Sequence, residues 1–303
     1  MNTRFIEAFL QVAKLRSFRA AAEHMHLTQA AISNRIASLE EDIGARLFHR
    51  ETRELKLTAV GSRLLDYGER MLDLEQEIRH LGRPGHELLG LVRIGAVDSV
   101  VHTWLIAFLK SLQSTYPGIE VQLTSETSAG VYKALREGVI DIALQTHPIE
   151  GEGITSIPCL SIATGWISAP DAIISTEDPL MDLLRLPTIT MSYGSQPHLV
   201  LRELYRRHGL PAGKTHHVSS ISAIVQLVQA HFGNALVPLA PFRQAVDAGH
   251  VKRIDCGLAI PNQPLVVSYT ESHSTEAIRV VAELACRECD QYVRGLPHPY
   301  AAT

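Results

Sequence analysis

The chain has 303 residues, of which 46% are hydrophobic, so it can form two or three globular units with cores of their own and is neither disordered nor fibrous. The formal charge of −4 at pH 7 argues against a protein that binds nucleic acid through a general positive field. Any contact with DNA must therefore come from a local patch.

The first predicted element is an amphipathic helix near the amino terminus. Phe5, Phe9, Val12 and Ala13 fall on one face of it. The segment lacks the unbroken apolar core and the cleavage site of a signal peptide, and no run in the chain approaches the length needed to cross a membrane. We therefore expect a soluble, cytoplasmic protein with no membrane partner, whose four cysteines are free thiols.

Residues 17–50 predict two short amphipathic helices joined by a tight turn, which together form a helix-turn-helix. Ser17 and Thr28 are the expected N-caps, and Gly44 is expected to end the second helix. The apolar stripes of the two helices follow helical spacing and consist of Phe18, Ala21, Ala22 and Met25, and of Ile32, Ile36, Leu39 and Ile43.

The face of the second helix opposite its isoleucines is small, polar and almost uncharged. Its residues are Ala30, Ser33, Asn34, Ala37 and Ser38. Small side chains let a helix lie deep in the major groove, where Gln29, Ser33 and Asn34 could reach base edges. The alternative is a surface helix of a purely structural bundle, but such a helix is expected to carry Lys and Glu on this face.

The segment after Gly44 predicts a short extended hairpin, or wing, that contacts phosphates. It carries Arg46, Arg50, Arg53 and Lys56. The net charge is +2 for residues 1–58, −2 for residues 59–88 and −4 for the remainder. Because the basic excess is small, each subunit should make few phosphate contacts, and affinity should depend on dimerisation.

These residues resemble those of the LysR-type transcriptional regulators. The matching positions are Ser17, Ala21-Ala22, Thr28-Gln29, Ser33, Leu39-Glu40, Gly44, Leu47-Phe48, Arg50 and Leu57-Thr58. Ala30 stands where the family often has Pro and Asn34 where it often has Arg, and these departures bear on which bases are read. The expected DNA-binding residues are Ser17, Thr28, Gln29, Ala30, Ser33, Asn34, Arg35, Arg50 and Arg53.

Residues 58–81 predict a dimerising helix about 35 Å long. Its apolar residues alternate spacings of four and three, as in a two-stranded coiled coil, and are Val60, Leu64, Tyr67, Met71, Leu74, Ile78 and Leu81. The alternative is that this stripe packs against its own chain, but the charge on the rest of the surface favours a dimer. The resemblance also implies a dimerising linker helix here, and by resemblance the working species is a dimer of dimers.

A hinge should follow this helix, because Gly82, Pro84, Gly85 and Gly90 interrupt the pattern. The predicted domains are therefore a DNA-binding domain in residues 1–58, a linker helix and hinge in 59–89, and an effector-binding domain in 90–303.

Beyond the hinge, short apolar strands alternate with helices, which is the pattern of open parallel sheets with covering helices. The first unit has predicted strands at 91–95, 120–124 and 141–145, with helices near 100–115 and 130–138. The second has strands at 164–168, 188–191, 216–218 and 235–237, with helices near 198–208 and 221–231. A strand at 265–269 and a helix at 276–292 should return to the first unit, so that lobe I is 90–161 and 265–303 and lobe II is 162–264.

Two such lobes should enclose a cleft, and ligands in α/β sheets lie beyond the carboxyl ends of the strands. The residues expected there are Asp98, Ser99, Val100, Thr124, Ser125, Thr127, Ser128, Gln145, Thr146, Ser192, Tyr193 and Ser219. Helix amino termini with nearby hydroxyls favour a small anion, typically a carboxylate. Any one hydroxyl could be only a helix cap, but their convergence on one cleft favours a pocket.

Two motifs extend the resemblance into this region: Asp141-Ile142-Ala143 and the segment Phe232 to Pro238. They imply a two-lobed effector domain like that of periplasmic solute-binding proteins. The whole chain is then an α/β protein with a helix-rich amino-terminal part, comprising a winged helix-turn-helix, a long linker helix and this domain.

Motifs of catalysis are absent: the sequence has no Gly-x-Ser-x-Gly elbow, phosphate-binding loop or dinucleotide fingerprint. Cys286-x-x-Cys289 lies in a helical pattern without a second Cys or His pair at zinc-like spacing, and Cys159 and Cys256 are isolated in the sequence. We therefore expect neither an enzyme nor a cofactor or metal.

The sequence thus predicts a ligand-responsive transcriptional regulator. Its expected partners are double-stranded promoter DNA, a small-molecule effector, further copies of itself, and RNA polymerase if it is an activator. Two alternatives stay open: a cytosolic enzyme or solute-binding module whose amino-terminal helices only mediate assembly, and an architectural DNA protein that ignores metabolites.

Overall fold

The computed structural model describes residues 2–49, 55–80, 88–271 and 275–301. The chain forms two compact units, Met1–Gly90 and Leu91–Thr303. Among the helices in these ranges, none combines the length and the apolar character that crossing a bilayer requires.

The first unit is mainly helical and also contains a two-stranded antiparallel sheet. Its elements are α1 (Thr3–Leu15), α2 (Phe18–His24), α3 (Gln29–Ile43), β1 (Phe48–His49), β2 (Lys56–Leu57) and α4 (Ala59–His80). The helix-turn-helix prediction is confirmed, with α2 and α3 as its two helices. Arg50, Arg53, Leu81, Gly82, Pro84 and Gly85, which the sequence assigned to the wing, the linker helix and the hinge, lie outside the described residues.

Local side-chain chemistry explains where α2 and α3 begin and end. Ser17 Oγ accepts a hydrogen bond from Ala20 N at 3.2 Å, and Thr28 Oγ1 accepts one from Ala31 N at 3.1 Å. Each hydroxyl thus satisfies one of the free N–H groups of a first turn. Gly44 ends α3 with φ +74°, a left-handed conformation that suits glycine.

The core of the first unit consists of the predicted apolar stripes. The fully buried members include Ile6, Phe9, Val12, Ile32 and Leu39. Rings from three segments meet there, because Phe9 and Phe18 both lie against Phe48 with centroid distances of 5.5 and 5.7 Å.

The apolar stripe of helix α4 is partly packed against the core of its own unit and partly exposed. Leu64 and Met71 pack against the core of the same unit, so the prediction that the whole stripe faces a second chain is wrong for these two residues. The helix approaches closely at Gly61, where an added Cβ would overlap the carbonyl oxygen of Leu47. The remaining described members of the stripe are 40–59% exposed and are Val60, Tyr67, Leu74 and Ile78.

The second unit is α/β. In chain order it contains β3 (Gly90–Ala96), α5 (Asp98–Val101), α6 (Leu105–Thr115), β4 (Ile119–Ser125), α7 (Ser128–Arg136), β5 (Ile142–Gln145), β6 (Ile154–Pro158), β7 (Thr164–Ser168), α8 (Pro179–Arg185), β8 (Thr188–Thr190), α9 (Gln196–Arg207), β9 (Thr215–His217), α10 (Ile221–Gln229), β10 (Asn234–Pro238), a 3₁₀ turn (Ala240–Phe242), α11 (Arg243–Asp247), β11 (Lys252–Ile254), β12 (Val266–Thr270) and α12 (Glu276–Arg294).

These strands form two five-stranded sheets, which define two lobes. The first sheet has the order β4-β3-β5-β12-β6 and the second the order β11-β7-β10-β8-β9. The chain crosses between the sheets twice, after β6 and after β11, and an isolated bridge between Ile162 and Gln263 joins the two crossings.

The prediction of open parallel sheets is wrong in part, because both sheets are mixed. β12 is antiparallel to β5 and β6, and β7 is antiparallel to β10 and β11. β7 and β12 are the two strands that follow a crossing. A strand that enters a sheet directly from the other lobe starts at the edge where the neighbouring strands end, so it runs against them.

Several short elements depart from the predicted pattern. β6, α8, α11 and β11 were not predicted, and they are only three to seven residues long. The helix predicted at 100–115 is two helices, α5 and α6, because residues 102–104 are not helical. Short elements carry too few residues for hydrophobic periodicity to distinguish them from loops.

Candidate nucleic-acid interface and ligand cavity

The outer face of α3 is accessible. Gln29, Ala30, Ser33, Asn34 and Ala37 are exposed, while Arg35 and Ser38 are half-buried. Thr28 is also exposed, although its hydroxyl already caps the helix. The side chains at the start and middle of this helix can therefore contact a molecule outside the chain.

Two of the other predicted DNA-binding side chains, those of Ser17 and Arg35, already make hydrogen bonds within the chain. The Ser17 hydroxyl is occupied in capping α2, and Arg35 Nη1 donates to the carbonyl oxygen of Arg4 at 3.5 Å. The structure describes neither Arg50 nor Arg53.

Arg46 does not lie on the hairpin as predicted. It precedes β1, and its Nη1 donates to Glu40 Oε2 at 2.7 Å. Glu40 is buried and also accepts from Leu47 N at 2.8 Å through Oε1. Arg46 therefore helps to hold the turn after α3, because its charge is paired with a carboxylate in the core.

A cavity of about 240 Å³ lies beyond the carboxyl ends of strands from both lobes. Eight of the predicted ligand-binding residues line it: Asp98, Ser99, Ser125, Thr127, Ser128, Thr146, Ser192 and Ser219. The lining also contains eight residues outside the predicted set: Val97, Glu126, Met191, Ser195, Pro197, Ser220, Pro238 and Gln263.

Four predicted residues do not line the cavity. Val100 is fully buried in the core, and Thr124 is exposed outside the lining. Gln145 is buried, and its Nε2 donates to the carbonyl oxygen of His147 at 2.6 Å. Tyr193 is 77% exposed, with its ring against the rings of His198 and His217. For Thr124 and Gln145, strand alternation sends the side chain to the face opposite that of the next residue, Ser125 or Thr146, which does line the cavity.

Sequence patterns did not predict that Pro238 and Gln263 line the cavity. Pro238 ends β10, and Gln263 lies in the second crossing between the sheets. Neither stands in a run of hydroxyl residues, which was the signal used to find the others. Ser195 and Ser220, which directly precede α9 and α10, belong to the same hydroxyl runs that the sequence placed at the cleft with Ser192 and Ser219.

Two helix amino termini at the cavity already face carboxylates of the chain. Asp98 Oδ2 accepts from Ile221 N at 2.7 Å, so a carboxylate from the first lobe meets the start of α10 in the second. Glu126 Oε2 lies beside Gly130 in the first turn of α7. These placements are favourable because a helix amino terminus carries partial positive charge.

The hydroxyl of Ser195, unlike the two carboxylates, makes no hydrogen bond with the described residues. Ser195 is the N-cap of α9 but makes no side-chain capping bond, and its buried Oγ has no partner among the residues that the structure describes. By contrast, the hydroxyls of Thr127 and Ser220 each accept a hydrogen bond from the helix that they cap. Ser195 Oγ is therefore a hydrogen-bonding group at the cavity that a ligand could satisfy.

The charged residues in the described lining of the cavity are all acidic. Asp98 and Glu126 contribute carboxylates, and none of the described lining residues is Lys, Arg or His. The cavity thus combines two negative groups with hydroxyls, and it can hold a molecule that presents both a cationic donor and hydrogen-bond acceptors.

Cys159 is isolated in the sequence but not in the fold. Its Sγ lies 3.3 Å from the Sγ of Cys286, which is 127 positions away in the chain. The sequence could not show this approach, because Cys159 follows β6 and Cys286 lies within α12.

Comparisons with protein families match almost the whole chain. Residues 3–62 match the model described as the bacterial regulatory helix-turn-helix protein of the lysR family. Residues 85–290 match the LysR substrate binding domain.

Individual proteins show the same relationship. The chain is 27% identical over 291 residues to the probable cat1 operon transcriptional activator of Acinetobacter lwoffii, covering 94% of this chain and 95% of that one. Among solved structures it is similar to ArgP from Mycobacterium tuberculosis, with a TM-score of 0.68, 20% identity and full coverage of both chains. Full-length LysG from Corynebacterium glutamicum with bound effector Arg has a TM-score of 0.64 at 19% identity, covering 96% of this chain and 99% of that one.

Proposed function

Because the chain belongs to the LysR family of transcriptional regulators, we propose that it binds promoter DNA as an oligomer and senses a small, carboxylate-bearing metabolite in the cavity of its second unit. The chain is a ligand-responsive regulator with a DNA-binding and an effector-binding domain, and it is not an enzyme. LysR regulators bind DNA and small-molecule effectors and form oligomers.

The DNA-reading role of α3 rests on one observation, the exposed, small and almost uncharged face of that helix. Gln29 lies in its first turn and carries base discrimination, with Ser33 and Asn34 one turn further along. A bidentate contact between a Gln side chain and adenine contributes about 1–3 kcal/mol of discrimination. Arg50 and Arg53 contact phosphate.

Helix α4 supplies the interface of the proposed oligomer. Its exposed apolar stripe is Val60, Tyr67, Leu74 and Ile78, and a second copy of the helix would bury it. Two subunits joined along this helix present two copies of α3 to two half-sites. RNA polymerase is a further partner if the regulator is an activator.

The chemistry of the cavity supports an effector with two kinds of group. Its carboxylate lies near the unpartnered Ser195 hydroxyl at the start of α9, since a helix amino terminus favours a negative group. An amino group lies near Asp98 and Glu126, because a purely anionic molecule would be repelled by both. The arginine bound to LysG has both groups.

DNA recognition is tested by binding of the full-length protein to promoter fragments and to unrelated duplexes. We expect Gln29→Ala to weaken binding to the cognate site by about 1–3 kcal/mol with little change on unrelated DNA. Arg50→Ala should weaken binding to all duplexes and flatten the salt dependence. Gln113→Ala, the same change at an exposed position of α6, is the matched control.

Equal and sequence-independent losses from Gln29→Ala and Arg50→Ala would contradict this assignment of roles. Sensing is tested separately by thermal denaturation with a panel of small acids, with and without an amino group. A ligand at a 100-fold excess over its Kd stabilises the folded state by about 2.7 kcal/mol. If none of the acids stabilises the protein, the architectural DNA protein becomes the better interpretation.

A further inference from the structure

A cluster of three thiols and one carboxylate lies away from the ligand cavity. Cys159 comes from the crossing after β6, whereas Cys286, Cys289 and Asp290 lie on α12. The Sγ atoms of Cys159 and Cys286 are 3.3 Å apart, and the thiol of Cys159 also contacts that of Cys289. One ligand atom each from Cys159, Cys286 and Asp290 lies within 4.8 Å of the others.

We propose that Cys159, Cys286 and Asp290, with Cys289 beside them, form a binding site for a thiophilic metal ion of the Zn²⁺ class. The helix supplies ligands three and four residues apart, which lie on one face of an α-helix. The crossing segment supplies the ligand from the opposite side.

The distances favour a metal over a disulfide. In a tetrahedral site with Zn–S bonds of about 2.3 Å, two sulfurs lie about 3.8 Å apart, so the pair at 3.3 Å would separate by about half an ångström. A disulfide requires about 2.05 Å, so the sulfurs would have to approach each other by more than an ångström. Both sulfurs belong to segments that hydrogen bonds hold in place, so the smaller movement is favoured.

One of these hydrogen bonds orients the carboxylate. Asp290 Oδ1 accepts from Leu160 N at 2.8 Å, and Cys159 N donates to the carbonyl oxygen of Leu265 at 2.9 Å. Such a bond fixes the direction of a metal-binding carboxylate and leaves it further acceptor capacity. Cys159, Cys286 and Asp290 are each half-buried, so an ion could reach them from solvent.

The test is titration of the full-length, reduced and chelator-treated protein with Zn²⁺, and with Co²⁺ as a spectroscopic probe. We expect one ion per chain, and Co²⁺ should show thiolate-to-metal charge-transfer absorption together with the visible bands of a tetrahedral site. Cys286→Ser and Cys159→Ser should each lower the Zn²⁺ affinity by more than the roughly 10- to 100-fold that loss of an outer-shell partner costs. Cys256→Ser should leave it unchanged, because this thiol lies outside the cluster.

A second measurement keeps the test independent of the variants' folding. In the unaltered protein, bound Zn²⁺ should protect Cys159 and Cys286, but not Cys256, from a thiol-alkylating reagent, as read by peptide mass spectrometry. Co²⁺ spectra without thiolate bands, equal binding by Cys256→Ser and Cys286→Ser, or oxidation of Cys159 and Cys286 to a disulfide in place of metal binding would each overturn the proposal.

Discussion

Glu40 shows how a single polar residue can support the architecture of the first unit. The residue is only 8% exposed, yet both carboxylate oxygens have partners, Leu47 N at 2.8 Å and Arg46 Nη1 at 2.7 Å. The hydrogen bond to Leu47 fixes the chain between α3 and β1. A buried N–H that loses its acceptor costs about 1–3 kcal/mol. Glu40 is therefore a structural residue, although it lies on the same helix as the residues proposed to read DNA.

We predict that Glu40→Ala lowers the free energy of unfolding of the first unit by about 1–3 kcal/mol, because the Leu47 N–H is left without its partner. Urea denaturation of the full-length protein, followed by a probe specific to this unit, measures the change. Glu41→Ala, at the exposed neighbouring position, serves as the control. An identical midpoint for the Glu40→Ala and Glu41→Ala proteins would contradict the structural role.

Helix α4 has one apolar face packed on its own unit and another that is exposed. Leu64 and Met71 pack against the core, whereas Tyr67 and Leu74 are each 50% exposed. A regular heptad sequence does not distinguish these surroundings, since all four residues fit the same pattern. Leu64 and Met71 therefore follow the alternative of packing on the own chain, whereas packing of Tyr67 and Leu74 on a second chain stays a prediction.

At the level of this element, we predict that Leu74→Lys weakens dimerisation. Burying the exposed half of each Leu74 contributes roughly 1.5–3 kcal/mol per dimer, so the dimer Kd should rise about 10- to 100-fold. Sedimentation equilibrium measures the change, and DNA affinity should fall with it. Glu69→Lys places the same side chain at an exposed site on the other side of α4, and its Kd should stay near that of the unaltered protein. Equal effects of the two substitutions would argue against the stripe as the interface.

On the scale of the effector-binding unit, the two lobes are joined by more than the crossings of the chain. Asp98, in α5 of the first lobe, holds the first N–H of α10 in the second lobe. His102 Nε2 lies 3.6 Å from the other oxygen of the same carboxylate. Because Asp98 also lines the cavity, a ligand that contacts this carboxylate can change how firmly it holds α10.

For the joined lobes, we predict that Asp98→Asn loosens this contact. A neutral amide oxygen accepts a weaker hydrogen bond than a carboxylate, by about 1 kcal/mol, so the Ile221 amide should exchange with solvent about fivefold faster. Hydrogen exchange followed by mass spectrometry or NMR reports this amide directly. Glu152→Gln, an exposed site in the first lobe, should not alter it. Unchanged exchange in the Asp98→Asn protein would show that the contact does not hold the lobes.

Much of the fold could be predicted because it depends on neighbours in the chain. The stripes of α2 and α3, the caps Ser17 and Thr28, and the left-handed end at Gly44 all depend on groups within a few residues of one another. The strand-and-helix alternation of the second unit was visible for the same reason. Half of the cavity lining, Asp98 and seven hydroxyl residues, was predicted from the positions of these residues after strands.

The features of the fold and the cavity that could not be predicted depend on segments that are distant in the sequence and meet only in the folded chain. The sequence by itself determined most of the helices and strands and the exposed, small and polar character of one face of α3, because these properties arise from local hydrogen bonding and side-chain periodicity. Only the tertiary structure decided the antiparallel entry of β7 and β12, the presence of Gln263 in the cavity and the approach of Cys159 to Cys286. The physical reason is that such contacts depend on how the chain closes loops of many residues, and no short-range pattern records that closure.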